Sequence, residues 1–190
     1  MVEGADTHAL EPVDEVTVHV IVDNMMDILS VVPDSVTSPT ANLLRAGATK
    51  VSGHALCCPH WGLSLLITAR RGNGSRTVLF DTGPEPETFE RNVERLGVGL
   101  ADVGAIVLSH GHWDHGGALV EAVERIYAQN GTQRVPVHMN DGMLVTRGMR
   151  LPNDQIVPFE EVPGVRSLSD RGADVVRDGQ AKSLLDGTFH

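Results

Sequence analysis

Residues 105–119 read AIVLSHGHWDHGGAL, and this stretch decides the fold. Ala105–Leu108 is wholly apolar, as a short buried strand is. It runs directly into His110, His112, Asp114 and His115, three imidazoles and a carboxylate within six residues. Crowded histidines repel one another when protonated, whereas a divalent cation stabilises their neutral forms. Imidazole nitrogen and carboxylate oxygen are the donor types of a catalytic zinc-like site, so no cysteine is needed. His110 and His112, two residues apart on an extended segment, point the same way. Asp114 and His115 fall where the chain turns toward a helix and face a second position. The spacing therefore predicts two metal positions rather than one. Gly111, Gly116 and Gly117 let the backbone bend tightly around these side chains.

Elements predicted on either side of this stretch alternate between strand and helix. Upstream, Val16–Val22 (VTVHVIV) is β-branched and nearly continuous, as a buried strand is. Residues 23–62 form a long excursion punctuated by Pro33, Pro39, Gly47, Gly53, Pro59 and Gly62, with a helical patch at Thr40–Ala46. Excursions of this length inside a domain are usually binding loops or disordered segments. Leu63–Ala69 and Thr77–Phe80, joined by the turn Arg70–Gly74, read as a β-hairpin. Thr88–Leu96 is helical in pattern, with Phe89, Val93 and Leu96 on one face and Gly97 as the stop. Downstream, Ala118–Gln129 is a helix and Val135–Met139 a strand. Asp141–Thr146 reads as a short helix, and Gln155–Phe159 and Ala173–Val176 as strands. The alternation makes the chain α/β or layered α+β.

The 190 residues carry 15 Lys and Arg against 25 Asp and Glu, a net charge of −10. Such a surface repels phosphate backbones, so nucleic acid is not the expected partner. The first 15 residues are acidic and lack an apolar run, so they are expected to be a flexible N-terminus rather than a secretory signal. No 18-residue apolar stretch occurs, which argues against a membrane span. Cys57 and Cys58 are adjacent and have no other cysteine to pair with. Together these features predict a cytoplasmic protein with a single domain over residues 16–190.

The segment Leu108–Leu119 (LSHGHWDHGGAL) resembles the metal-binding signature of the metallo-β-lactamase fold superfamily. Val78–Gly83 (VLFDTG) resembles that superfamily's first motif, a strand ending in Asp-x-Gly. With Val22-Asp23-Asn24 and His60–Ile67 (HWGLSLLI), the pattern is similar to one branch, the 7,8-dihydropterin-6-methyl-4-(β-D-ribofuranosyl)aminobenzene 5′-phosphate synthase-like metal hydrolases. The resemblance implies an α+β fold, an αββα sandwich with the site along one edge. It implies His110 and His112 on a first metal, Asp114 and His115 on a second, and Asp81 steadying these ligands through hydrogen bonds. The cofactors implied are two divalent ions, zinc first, with iron or manganese as substitutes.

The implied activity is hydrolysis of a small-molecule ester, lactam, thioester or phosphoester, pterin-related by the branch, through metal-activated water. Asp114 would serve there both as ligand and as a catalytic group. Family members continue beyond this length and supply a further His, a bridging Asp and a final His; nothing after Met139 matches those motifs. The fold is therefore expected to be incomplete at its C-terminal end. The alternative function is a truncated or non-catalytic metal-binding module, and an exposed half-sandwich would favour a homo-oligomer.

Four further residues are candidates for lining the substrate site. Asp23 and Asn24 follow the first strand, and His54 and His60 sit in the long excursion that could roof a pocket. His138 alternates with apolar residues in a strand and is expected to be a satisfied structural histidine. Gly187-Thr188-Phe189-His190 shows no closing element.

Overall fold

The computed structural model describes residues 12–190; residues 1–11, most of the expected flexible N-terminus, lie outside the described residues. In chain order come β1 (Glu15–Val22), α1 (Pro39–Arg45), β2 (Ser64–Arg71), β3 (Gly74–Phe80) and α2 (Pro86–Leu96). Next are β4 (Val103–Val107), α3 (Trp113–Gly116), α4 (Leu119–Gln129) and β5 (Val135–Met139). A 3-10 turn over Asp141–Leu144 leads to β6 (Gly148–Arg150), β7 (Ile156–Pro158), α5 (Val165–Ser169) and β8 (Ala173–Arg177).

β1, β2 and β3 form an antiparallel meander, and β4, β5 and β8 continue the sheet in parallel, giving the order β1-β2-β3-β4-β5-β8. The β2–β3 hairpin turns through Gly72 and Asn73, with Arg71 paired to Gly74; Gly72 takes the left-handed φ of 57° that such a turn requires. Parallel neighbours need a crossover, and α2, α4 and α5 supply it. Each helix buries an apolar stripe: Phe89 and Val93 from α2, Leu119, Ala122, Val123 and Ile126 from α4, and Leu168 from α5. These meet Ile21, Leu66, Leu79, Ile106, Val135 and Val137 of the sheet in one contiguous core. The result is a mixed α/β domain with a sheet flanked by helices, as expected. Of the two sheets in the expected sandwich, the described residues build one of six strands; their other sheet is the two-stranded ribbon β6–β7.

Strand register assigns the core residues to one face of the sheet. Val18, Ile67 and Val78 pair in sequence across β1, β2 and β3, as do Val20, Leu65 and Phe80, and all of these lie on the opposite face. The expectation that β1 is a buried strand therefore needs correction. Val16, Val18 and Val20 are 55%, 48% and 49% exposed. β1 is one of the two edge strands, and no helix layer among the described residues lies over that face.

The middle of the same face is covered by the C-terminal stretch, which does have a closing element. Leu184 and Phe189 form a bridge, Asp186 pairs with Arg76 at 2.7 Å, and Leu185 seats against Gly104. β6, α3 and α5 were not foreseen; they are three to five residues long, too short to show a period. No helix among the described residues is long and apolar enough to cross a membrane.

Candidate metal centre

The cluster forms where β4 ends. Past Val107, the chain bends through Ser109–His112 into α3, which His112 precedes in extended conformation without capping it through its ring. Two glycines make the bend possible. A Cβ on Gly117 would lie 1.9 Å from the Pro84 carbonyl oxygen, and one on Gly62 would lie 2.1 Å from that of Asp114. The strap His60–Leu63 is thus pressed onto the loop that carries the histidines, with Leu63 N–H donating to the Asp114 carbonyl at 3.4 Å.

His110, His112 and Asp114 each present one ligand atom, and all three atoms lie within 4.8 Å of one another. All three side chains are half-buried. The His110 ring centroid is 4.5 Å from that of His112 and 4.2 Å from that of His115. His115 Nε2 is 3.6 Å from Asp114 Oδ2, so the Asp114 carboxylate is near His115 as well as His110 and His112. Burial first, then the neighbouring His115 and His112 charges, push the His110 pKa below its ordinary value. A histidine held neutral in this way keeps a lone pair free for a cation.

Asp81 organises the cluster from beneath. It is fully buried, and it adopts a φ of 56°, in the left-handed region that a non-glycine residue seldom occupies. Its Oδ1 accepts the Ser109 N–H at 2.8 Å, and its Oδ2 accepts both the Ser109 hydroxyl and His115 Nδ1 at 2.7 Å. With Nδ1–H given to a carboxylate, His115 turns its Nε2 toward Asp114 and the open side. The Ser109 oxygen is also 3.0 Å from His110 Nδ1, so a single hydroxyl links both halves of the cluster to Asp81.

The four lining candidates diverge. His60 bonds away from the cluster: its N–H donates to the Asp23 carbonyl at 3.0 Å, and its Nε2 is 3.6 Å from Glu85. Asp23 accepts the Asn24 N–H through its side chain at 2.7 Å, and both residues are exposed. His54 lies exposed on the Ser52–Ala55 turn, which Arg91 holds through the Gly53 and Leu56 carbonyls. His138 is not the satisfied residue expected. Its Nδ1 is buried without a hydrogen-bond partner, and burial followed by the Lys182 charge lowers its pKa.

Three neighbours of the cluster went unnoticed in the sequence. Arg147 donates to the carbonyls of Gly111 at 2.8 Å and of Met143 and Val145 at 3.0 Å, pinning the loop from the far side. The Phe159 ring meets His112 edge-on at 5.9 Å. Ser109 is flagged only by its place beside His110, whereas Arg147 and Phe159 arrive through the fold and leave no local signal.

The sequence model of the metallo-beta-lactamase superfamily matches residues 62–174, more than half of the chain. Over 71 residues the chain is 34% identical to the 7,8-dihydropterin-6-methyl-4-(beta-D-ribofuranosyl)-aminobenzene-5'-phosphate synthase of Methanocaldococcus jannaschii, covering 36% of this chain and 24% of that protein. Among solved structures, Tm1679, a metal-dependent hydrolase of the beta-lactamase superfamily, aligns over 86% of this chain and 42% of its own, at 16% identity and a TM-score of 0.46. The Rm3 metallo-beta-lactamase aligns over 65% of this chain and 42% of its own, at 27% identity and a TM-score of 0.40. The chain thus spans less than half the length of each of these relatives.

Proposed function

The chain belongs to the metallo-beta-lactamase superfamily, and on that premise we propose that it is a metal-dependent hydrolase of a small molecule. One observation carries the reading: His110, His112 and Asp114 converge to within 4.8 Å at a strand end, in the donor chemistry that divalent ions take. In this reading His110 and His112 would hold a first ion and Asp114 and His115 a second, both zinc. Bound divalent metal supplies Lewis acidity and brings the ionisation of a water it holds toward neutral pH.

The protein's own residues do the rest. Asp114, near both His112 and His115, orients the attacking water and takes its proton on a carboxylate oxygen. Asp81 fixes the His115 ring so that Nε2 is presented, and Ser109 does the same for His110 through Nδ1. Phe159 borders the His112 ring, and the His60–Leu63 strap steadies the Asp114 backbone through Leu63.

The substrate class is an ester, lactam, thioester or phosphoester. The name of the archaeal relative favours a phosphorylated or pterin-bearing member of that class. A second reading, metal binding without turnover, draws on the three-residue size of the converging group.

Zinc-loaded protein assayed against p-nitrophenyl acetate, a chromogenic cephalosporin, an acyl thioester and bis-p-nitrophenyl phosphate tests the proposal. Turnover of at least one is expected, lost on chelation and lost in Asp114→Asn while about one equivalent of metal stays bound. Full activity in Asp114→Asn, or in chelated protein, overturns the assignment. Stable metal uptake with no turnover of any class supports the second reading.

A further inference from the structure

Away from the histidine cluster, the excursion of residues 23–62 encloses a groove of about 710 Å³ along the edge strand β1. Residues of β1, of the α1 segment and of the last turn of α2 line it. None of His110, His112, Asp114 or His115 lines it. The volume falls in the range of small-molecule sites, which pair an apolar lining with a few placed polar groups. Here Ile21, Met26, Leu43, Leu56 and Leu96 supply the apolar lining.

The charges in the groove are unevenly committed. Its carboxylates already have partners: Glu15 pairs with Arg70 at 3.2 Å, Asp27 accepts from Leu29 N–H at 2.8 Å and Ser30 N–H at 3.0 Å, and Asp23 accepts from Asn24 N–H. Its two arginines do not. Among the described residues, neither Arg45 nor Arg95 is matched by a carboxylate, in a chain with 25 acidic residues to offer. Arg95 Nε is also shut from water without an acceptor, and the Nδ1 of His19, on β1 in the same lining, is buried without a hydrogen-bond partner. A buried donor left unmatched is costly, and a ligand oxygen would satisfy Arg95 Nε, and His19 Nδ1 in the tautomer that carries its proton there. Cys57, half-buried in the same lining, has its pKa raised by burial and meets a ligand as a neutral thiol.

We infer that this groove is a binding site for a free amphipathic organic anion, its acidic head on Arg45 and Arg95 and its apolar body along Leu43, Leu56 and Leu96. None of the four cluster residues lines the groove, and it is tested on the full chain with and without zinc. Decanoate is titrated by calorimetry against wild type and against the double variant Arg45→Gln/Arg95→Gln, with decanol and decyltrimethylammonium as the neutral and cationic counterparts. A charge-assisted contact predicts one decanoate site in wild type, at least tenfold weaker in the variant, with decanol affinity equal in both and no site for the cation.

Because an open sheet face could also take up decanoate, the site is located by a second measurement. In Cys58→Ser protein, saturating decanoate should slow alkylation of Cys57 by N-ethylmaleimide at least fivefold. Decanoate affinity unchanged in the double variant, Cys57 alkylation indifferent to decanoate, or absence of decanoate binding overturns the inference. A matching thermal melt shows that the variant remains folded.

Discussion

The two faces of the six-stranded sheet are both apolar, yet only one is fully covered. On the helix side, Leu79, Ile106 and Val137 are completely buried beneath α2, α4 and α5. On the other side, Val16, Val18 and Val20 stand about half exposed, while Val78 and Ala105 are buried near the stretch that carries Leu185. Apolar patterning on both faces therefore marks a sheet suited to burial on both, but it does not say what lies over each. The helix side owes its cover to crossovers that parallel strands oblige the chain to make. The open side has no such obligation, and its cover comes from a local C-terminal turn.

Substitutions can break this comparison in order of size. Phe89→Ala, on the fully buried helix side, should cost about 3–5 kcal/mol by chemical denaturation. A loss below about 1 kcal/mol would mean that the helix layer is loosely packed. Asp81→Ala removes a buried carboxylate from His115 and Ser109 and should cost about 3 kcal/mol, with metal affinity reduced about 10–100-fold by competition with a chelator. Leu185→Ala probes the partial cover of the open face and should cost about 1–2 kcal/mol. A value comparable to Phe89→Ala would make the C-terminal turn a true second layer.

Two smaller effects sharpen the contrast. His138 projects from the open face, paired in register with Val107 and Val176. Burial holds its pKa below the ordinary value of about 6.5, against the opposing pull of Asp178. The unfolded chain therefore takes up this proton before the folded one does. The folded state keeps its full advantage above about pH 6.5 and loses it as pH falls toward the lowered value. Wild type should lose more melting temperature between pH 7.5 and 5.5 than His138→Gln does, and equal slopes would contradict this. Val18→Thr, on the exposed stripe, should change stability by no more than about 0.5 kcal/mol. A larger loss would show that the open face is covered in solution.

How much of this was legible follows from the range of each interaction. The strands, the two long helices and the hairpin were readable because period and turn chemistry are local; Val135–Met139 appears with the predicted bounds. Four chemistry-bearing residues within one loop declared themselves for the same reason. Asp81 was found through its Asp-x-Gly motif, but its place under His115 depends on β3 and β4 lying side by side. Arg147 and Phe159 reach the cluster from the β6–β7 ribbon; its second strand was read within Gln155–Phe159, but neither its pairing with β6 nor its approach to the histidines leaves a local signal. The exposure of Val16, Val18 and Val20 was hidden because a β-branched strand reads alike at an edge and at the centre of a sheet.

The central claim, that the end of this sheet holds a metal centre, is tested most directly by metal content per chain. Elemental analysis of protein purified after zinc supplementation should give two equivalents in wild type. The double variant His110→Ala/His112→Ala should fall to one or fewer, and adding His115→Ala should leave none. Wild type purified without bound metal, or a stoichiometry unchanged in these variants, would contradict the account.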